Sequence, residues 1–152
     1  MIPLVHDFDG ERVLIVGGGA VGARQSRLFA QEASVLVISP AFVDESFGGA
    51  QRIRAAPTPS DVSHLLATVA PVLVVAATDD PPLNEAIETA AHEQGVLVNR
   101  ADGAGLRGPG SVILPASEGV WKDLDTEGAN PYEHAVAVIE ETTGAALAGD
   151  HP

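Results

Sequence analysis

The apolar run Val13-Leu14-Ile15-Val16 ends in Gly17-Gly18-Gly19-Ala20-Val21-Gly22 and passes at once into a segment with helical spacing. This order of strand, Gly-x-Gly-x-x-Gly and helix restricts the fold more than any other stretch, because it is the order that a dinucleotide diphosphate site requires. Gly17 lets the chain leave the strand in a tight turn. Gly19 lets backbone approach phosphates with no Cβ in the way, and Gly22 lets the helix pack closely on the strand. A diphosphate would then lie along Gly17, Gly18, Gly19, Ala20, Val21 and Gly22, over the free N–H groups and positive dipole end of a helix starting near Ala20. The same glycines would also serve a strand-to-helix turn that holds no ligand, so the motif by itself leaves both readings open.

The rest of the chain alternates in the same way. The first strand is expected at about Arg12 to Val16 and the first helix from about Ala20 to Gln31, where apolar and small residues recur at intervals of three and four. Ser34 to Ile38 is a β-branched run that stops at Ser39-Pro40, and Arg52 to Ala55 reads as a third strand between loops. Ser60-Asp61 is expected to cap a helix through Val62, Leu65, Leu66 and Val69. Pro71 to Ala77 is apolar at successive positions, which suits a parallel strand buried on both faces. Asp80, followed by Pro81-Pro82, should be the N-cap of a helix through Leu83, Ile87, Ala90 and Ala91. Gly95 to Val98 and Ser111 to Leu114 read as the last two strands. The pattern predicts a doubly wound, mainly parallel α/β sheet of Rossmann type with right-handed crossovers over residues 1–116. Residues 117–152 read as a polar linker, Ser117 to Asn130, and a helix from Pro131 with an apolar stripe at Ala135, Val136 and Ile139.

Composition narrows the partners. The 152 residues hold 21 acidic and eight basic side chains, a formal net charge of −13. Bulk electrostatics of that sign repels nucleic acid and anionic membrane, so neither is an expected partner. Acidic residues are scattered, and Lys122 is the one lysine beside seven arginines, as on the surfaces of proteins from salt-loving microbes. There is no cysteine, which excludes disulfides, thiolate metal sites and cysteine nucleophiles. The five histidines lie on different expected elements with no metal-ligand spacing, so no dedicated metal site is expected. No apolar run reaches the length of a membrane span, and the opening residues lack a basic region before an apolar one, so a cytoplasmic location is expected.

In a parallel sheet of this type, ligands bind beyond the carboxyl ends of the strands. The polar residues there are Ser39 with Pro40, Thr78-Asp79, and Asn99 to Asp102. An NAD site usually presents an acidic residue at the end of the second strand, where this chain has Ser39 and no arginine within that strand end. Ser39 either bonds the ribose or caps a turn, and the choice between NAD and NADP stays open at this position. Capping by Asp80 accounts for one of the two aspartates and leaves Asp79 and Asn99 to be explained.

These residues resemble the dehydrogenase domain of siroheme synthase, the precorrin-2 dehydrogenase family. The matching pieces are Ile2-Pro3-Leu4, the run from Val13 to Arg24, Ser39-Pro40, Ala76 to Pro81 with Asn84, Val98-Asn99 with Asp102, and Ile113-Leu114-Pro115. The resemblance covers about residues 1 to 116. It implies removal of two hydrogens from precorrin-2 to give sirohydrochlorin, with NAD⁺ as hydride acceptor, and in some relatives insertion of Fe²⁺ into the product. It places Asp102 as general base or tetrapyrrole-orienting carboxylate, Ser39 on the ribose side, and Thr78, Asp79 and Asn99 on the nicotinamide side. It also makes Ser39-Pro40 ordinary, since the family does not use the usual acidic residue.

Two departures accompany the resemblance. The loop Gly103 to Gly110 after Asp102 is longer and richer in glycine than the family pattern, with Arg107 in it. The family's segment after the last strand, which builds the dimer and the tetrapyrrole cleft, is replaced by residues 117–152. Two functions therefore stand: a precorrin-2 dehydrogenase completed by a second copy or another chain through the C-terminal helix, or a non-catalytic NAD(H)-binding regulatory module of Rossmann type. The carboxylate of Asp102 favours the first, because a sensor of cofactor needs none beyond the nicotinamide.

Overall fold

The computed structural model describes residues 6–101. They form β1 (Arg12–Val16), α1 (Ala20–Phe29), β2 (Ser34–Ser39), β3 (Gln51–Arg54), a 3-10 turn (Pro59–Asp61), α2 (Val62–Val69), β4 (Leu73–Ala76), α3 (Pro81–Gln94) and β5 (Leu97–Arg100). All the pairings are parallel, in the order β3-β2-β1-β4-β5. The expected sixth strand, the C-terminal helix, Arg107 and Asp102 lie outside the described residues.

Apolar residues at successive strand positions produce two cores, one on each face of the sheet. Val13 and Ile15 of β1 join Val35, Val37, Leu73, Val75, Phe29 and Phe47 on the α1 face. Leu14 and Val16 join Ile38, Val74, Ala76, Val62, Leu66, Leu83 and Ile87 on the face covered by α2 and α3. The chain moves from β1 outward to β3 with α1 on one face. It then returns to β4 and β5 with α2 and α3 on the other, as crossovers of one hand require when the direction of travel reverses. The reversal leaves β1 and β4 as neighbours whose connections depart to opposite sides, and a crevice opens above their carboxyl ends.

Element ends differ from the sequence reading by one to three residues, each for a local reason. Helix α1 stops at Phe29, short of Gln31, where the Ala33 N–H turns back to the Phe29 carbonyl at 2.7 Å and leads into β2. The first turn before α2 is capped by Thr58 and Asp61 in a reciprocal box, so the cap lies two residues ahead of Ser60. Gly95 ends α3 at φ +70°, a left-handed cap that cannot continue a strand, so β5 begins at Leu97 and takes in Asn99 and Arg100. Between β2 and β3 there is a loop in place of a helix, held by edge-to-face packing of Phe42 on Phe47 at 5.6 Å. No helix among the described residues is long and apolar enough to cross a membrane.

Candidate dinucleotide site

The glycine turn sits at the point of reversal, and its glycines are needed for different reasons. Gly17 has φ +132°, which side chains rarely adopt, and a Cβ there would collide with the Ala77 carbonyl at the end of β4. Its N–H bonds to the Ile38 carbonyl at 3.0 Å, so the turn is tied to β2 on one side and pressed on β4 on the other. A Cβ on Gly18 would collide with the Ala41 carbonyl and meet the Ser39 side chain at 2.8 Å. The Gly18 carbonyl accepts from the Val43 N–H at 2.8 Å, which fastens the loop after β2 to the turn. A Cβ on Gly22 would collide with the Gly17 carbonyl, so the close approach made by Gly22 is chiefly to the turn itself, with Ile15 of the strand 3.8 Å away.

Gly19 is different. It is exposed, its φ of −82° suits any residue, and a Cβ on it would meet nothing within 4 Å. Neither backbone strain nor packing among the described residues calls for glycine here. The open space that the Cβ would fill lies at the N-cap of α1, where no side chain caps the helix and no acidic residue occupies the first turn. The N–H groups of Ala20, Val21 and Gly22 have no partner in the preceding turn of a helix, and together with the helix dipole they favour an anion. A diphosphate fits this cradle: it needs the missing Cβ and supplies the acceptors that the helix lacks.

Ser39 is the last residue of β2 and is buried; its hydroxyl donates to the Ala41 carbonyl at 2.7 Å. Of the two roles read for it, turn capping is therefore present, and toward a ribose the oxygen retains acceptor capacity. Pro40, beside it, is exposed. At the end of β4, Thr78 is held by Asn84 of α3, which is 1% exposed. The Asn84 side chain accepts from the Thr78 hydroxyl at 2.6 Å and donates to the Thr78 carbonyl at 2.9 Å. Asp80 caps α3 as expected, accepting from the Leu83 N–H at 3.3 Å, while Asp79 is exposed between them. In β5, Asn99 pairs with Val75 and alternates with Val98, which places it on the α1 face with the glycine turn. Arg100 points to the opposite face and pairs with Glu88 of α3 at 2.9 Å, with 11% of its side chain exposed.

The structure thus gathers the glycine turn, Ser39, the Thr78 turn and Asn99 at one end of the sheet. Asn84, quoted among the matching pieces without a role, is the residue that holds the Thr78 turn, and it also carried a pattern signal: a polar residue falling in register with Ile87 and Ala91 on the buried stripe of its helix.

Comparison with known proteins agrees with this geometry. A family model described as putative NAD(P)-binding matches residues 4–116. The siroheme synthase of Azotobacter vinelandii is 40% identical over 121 residues, and that of Pseudomonas fluorescens strain SBW25 is 37% identical over 122. Each alignment takes in 76% of this chain and 24% of the relative, so the chain spans about a quarter of the length of these curated relatives. A solved precorrin-2 dehydrogenase, SirC, has the same fold, with a TM-score of 0.56 and 22% identity over 95% of this chain and 71% of that one. The chain belongs to the putative NAD(P)-binding family whose model spans its residues 4–116, the family indicated by its resemblance to the dehydrogenase domain of siroheme synthase.

Proposed function

We propose that this chain is a nicotinamide-dinucleotide-dependent dehydrogenase that converts precorrin-2 to sirohydrochlorin in siroheme biosynthesis. The observation that carries the reading is Gly19, a glycine demanded by nothing among the described residues, at an uncapped helix N-terminus at the point where the sheet reverses. Similarity to siroheme synthases supplies the substrate class.

When bound, the cofactor, NAD⁺ in the resemblance, supplies the hydride-accepting chemistry. The chain's own residues do the rest. Gly17, Gly18, Gly19, Ala20, Val21 and Gly22 hold the diphosphate, and Ser39 accepts from the ribose beside Pro40. Thr78, fixed by Asn84, and Asp79 shape the crevice wall beyond β4, and Asn99 orients the nicotinamide side from β5. Asp102, two residues past Arg100 and outside the described residues, takes up the proton released as the C–H pair leaves the macrocycle, or orients the tetrapyrrole for that loss. The product keeps its nitrogens free, and Fe²⁺ insertion is a second step to which the resemblance extends the reading, with iron as substrate. A second copy or another chain joined through the helix from Pro131 completes the tetrapyrrole cleft, and the protein works in the cytoplasm.

The test is anaerobic mixing of the protein with precorrin-2 and oxidised dinucleotide, following sirohydrochlorin in the visible spectrum for the wild type and Asp102→Ala. Sirohydrochlorin formed by the wild type and lost in the variant is the expected result. Dinucleotide binding without turnover by either protein would leave the regulatory module as the function. Fe²⁺ added after turnover then tests insertion through the appearance of the siroheme spectrum.

A further inference from the structure

Helix α3 carries two polar side chains one turn apart, and each holds the end of a different strand. Asn84 fastens the Thr78 turn beyond β4. Glu88, four residues on and so on the same side of the helix, reaches Arg100, the last residue of β5, at 2.9 Å. β5 is the outermost strand of the described sheet, with β4 as its ladder partner, and the ladder runs out where the Ala101 N–H donates to the Ala76 carbonyl at 2.9 Å. The Glu88–Arg100 pair therefore adds a side-chain tie at the point where backbone pairing comes to an end.

This pair differs from a surface ion pair. Arg27 and Glu45 meet at 3.4 Å with 40% and 44% of their side chains exposed, and such a contact contributes little. Arg100 and Glu88 are 11% and 28% exposed, and the cost of taking both charges partly out of water offsets much of their attraction. Net stabilisation is thus a poor reason for the pair, and a fixed direction for the end of β5 is a better one. Arg100 follows Asn99, and alternation along the strand sends the two to opposite faces. Arg100 lies opposite Ala76 on the α3 face, and Asn99 lies opposite Val75 on the face that carries the glycine turn. A rotation of the strand end about its own axis would turn both side chains together, so what holds Arg100 also aims Asn99.

We infer that Glu88 and Arg100 are positioning residues that aim Asn99 at the nicotinamide half of the bound dinucleotide. The inference rests on the dinucleotide reading above and extends it from the diphosphate to the far end of the cofactor. The two ends of the ligand are held by different elements: the glycine turn and Ser39 belong to β1, α1 and β2, whereas Glu88, Asn99 and Arg100 belong to α3 and β5. Loosening the pair therefore weakens contacts to the nicotinamide and leaves those to the ADP half in place. The contact joins one guanidinium nitrogen to one carboxylate oxygen, so a lysine ammonium can remake it.

The test is calorimetric titration of the full chain with NADH and with ADP-ribose, which has the same diphosphate and lacks the nicotinamide, for wild type, Glu88→Gln, Arg100→Met and Arg100→Lys. Glu88→Gln keeps the shape of the side chain and decides the matter where Arg100→Met fails to fold. The expected result is NADH bound about tenfold more weakly by Glu88→Gln and Arg100→Met, with ADP-ribose affinity unchanged and Arg100→Lys close to the wild type. Unchanged NADH affinity in both of the first two variants, an equal loss of both ligands, or a loss that Arg100→Lys shares in full would overturn the inference and leave the dinucleotide reading standing. So would a wild type that binds the two ligands equally. Failure of both ligands to bind the wild type would overturn both.

Discussion

Gly19→Ala separates a glycine kept for a ligand from glycines kept for the fold. At Gly22 the added Cβ meets the Gly17 carbonyl, backbone that cannot give way. Overpacking costs about 1–3 kcal/mol, and relief of the glycine penalty within a helix returns about 1 kcal/mol. With an immovable neighbour the upper figure applies, so Gly22→Ala should lose about 2 kcal/mol, or roughly 8 °C in Tm at about 4 °C per kcal/mol. At Gly19 the Cβ meets nothing within 4 Å among the described residues, and φ of −82° is ordinary. Loss of glycine at an N-cap costs up to about 1 kcal/mol, and the reduced entropy of the unfolded chain offsets about 0.4–1 kcal/mol. The unliganded Tm of Gly19→Ala should therefore stay within about 2 °C of the wild type.

Ligand then tells the two apart. At a dinucleotide concentration a hundred times the wild-type Kd, linkage stabilises the wild type by about 2.7 kcal/mol, a rise of roughly 11 °C. A Cβ in the place of a phosphate oxygen forfeits a charge-assisted hydrogen bond, weakening binding by about tenfold to a hundredfold. At the same concentration the rise for Gly19→Ala should fall to between about 6 and about 2 °C. Thermal unfolding of the three proteins, with and without ligand, reads all of this. A Gly19→Ala protein that loses stability as Gly22→Ala does, or that keeps the full rise, would refute the reasoning.

Two further predictions concern the surroundings of the site. Asn84→Ala removes the three side-chain bonds to the Thr78 turn from a residue 1% exposed and strands the Thr78 groups, which should cost about 2–3 kcal/mol in denaturant unfolding; a loss below about 0.5 kcal/mol would mean that Asn84 does not hold the turn. The Asp61 carboxylate accepts from the Thr58 N–H at 2.8 Å and from its hydroxyl at 2.9 Å, and these bonds, the backbone one foremost, lower its pKa. Because the folded value lies below the unfolded one, this contribution is present above the ordinary aspartate value and disappears as pH falls through the folded one. The difference in Tm between wild type and Asp61→Asn should therefore shrink below about pH 3.9, and a constant difference would contradict it.

The sheet was legible because Val13 to Val16 and Leu73 to Ala76 are short, largely β-branched runs apolar at every position and bounded by turn residues, which suits a strand covered on both faces. The glycine turn was legible because the positive φ of Gly17 and the contact of Gly22 with the Gly17 carbonyl are local to the motif, whereas the press of Gly17 on the Ala77 carbonyl is not. Ends were less so. Nothing in Gly95-Val96 distinguishes a strand start from a left-handed helix cap, and the cap prevailed because α3 needed termination after Gln94. The ribose end of the site was the least legible part, since the partner of Ser39 is fifteen residues away in a strand whose register depends on the loop tied to Gly18.

The most direct test of the central claim is the stoichiometry of anaerobic turnover by the purified chain in high salt, with reduced nicotinamide and sirohydrochlorin recorded together. The account predicts one reduced dinucleotide formed for each precorrin-2 consumed, at a rate that saturates with both. Saturable dinucleotide binding with precorrin-2 left unchanged would contradict it.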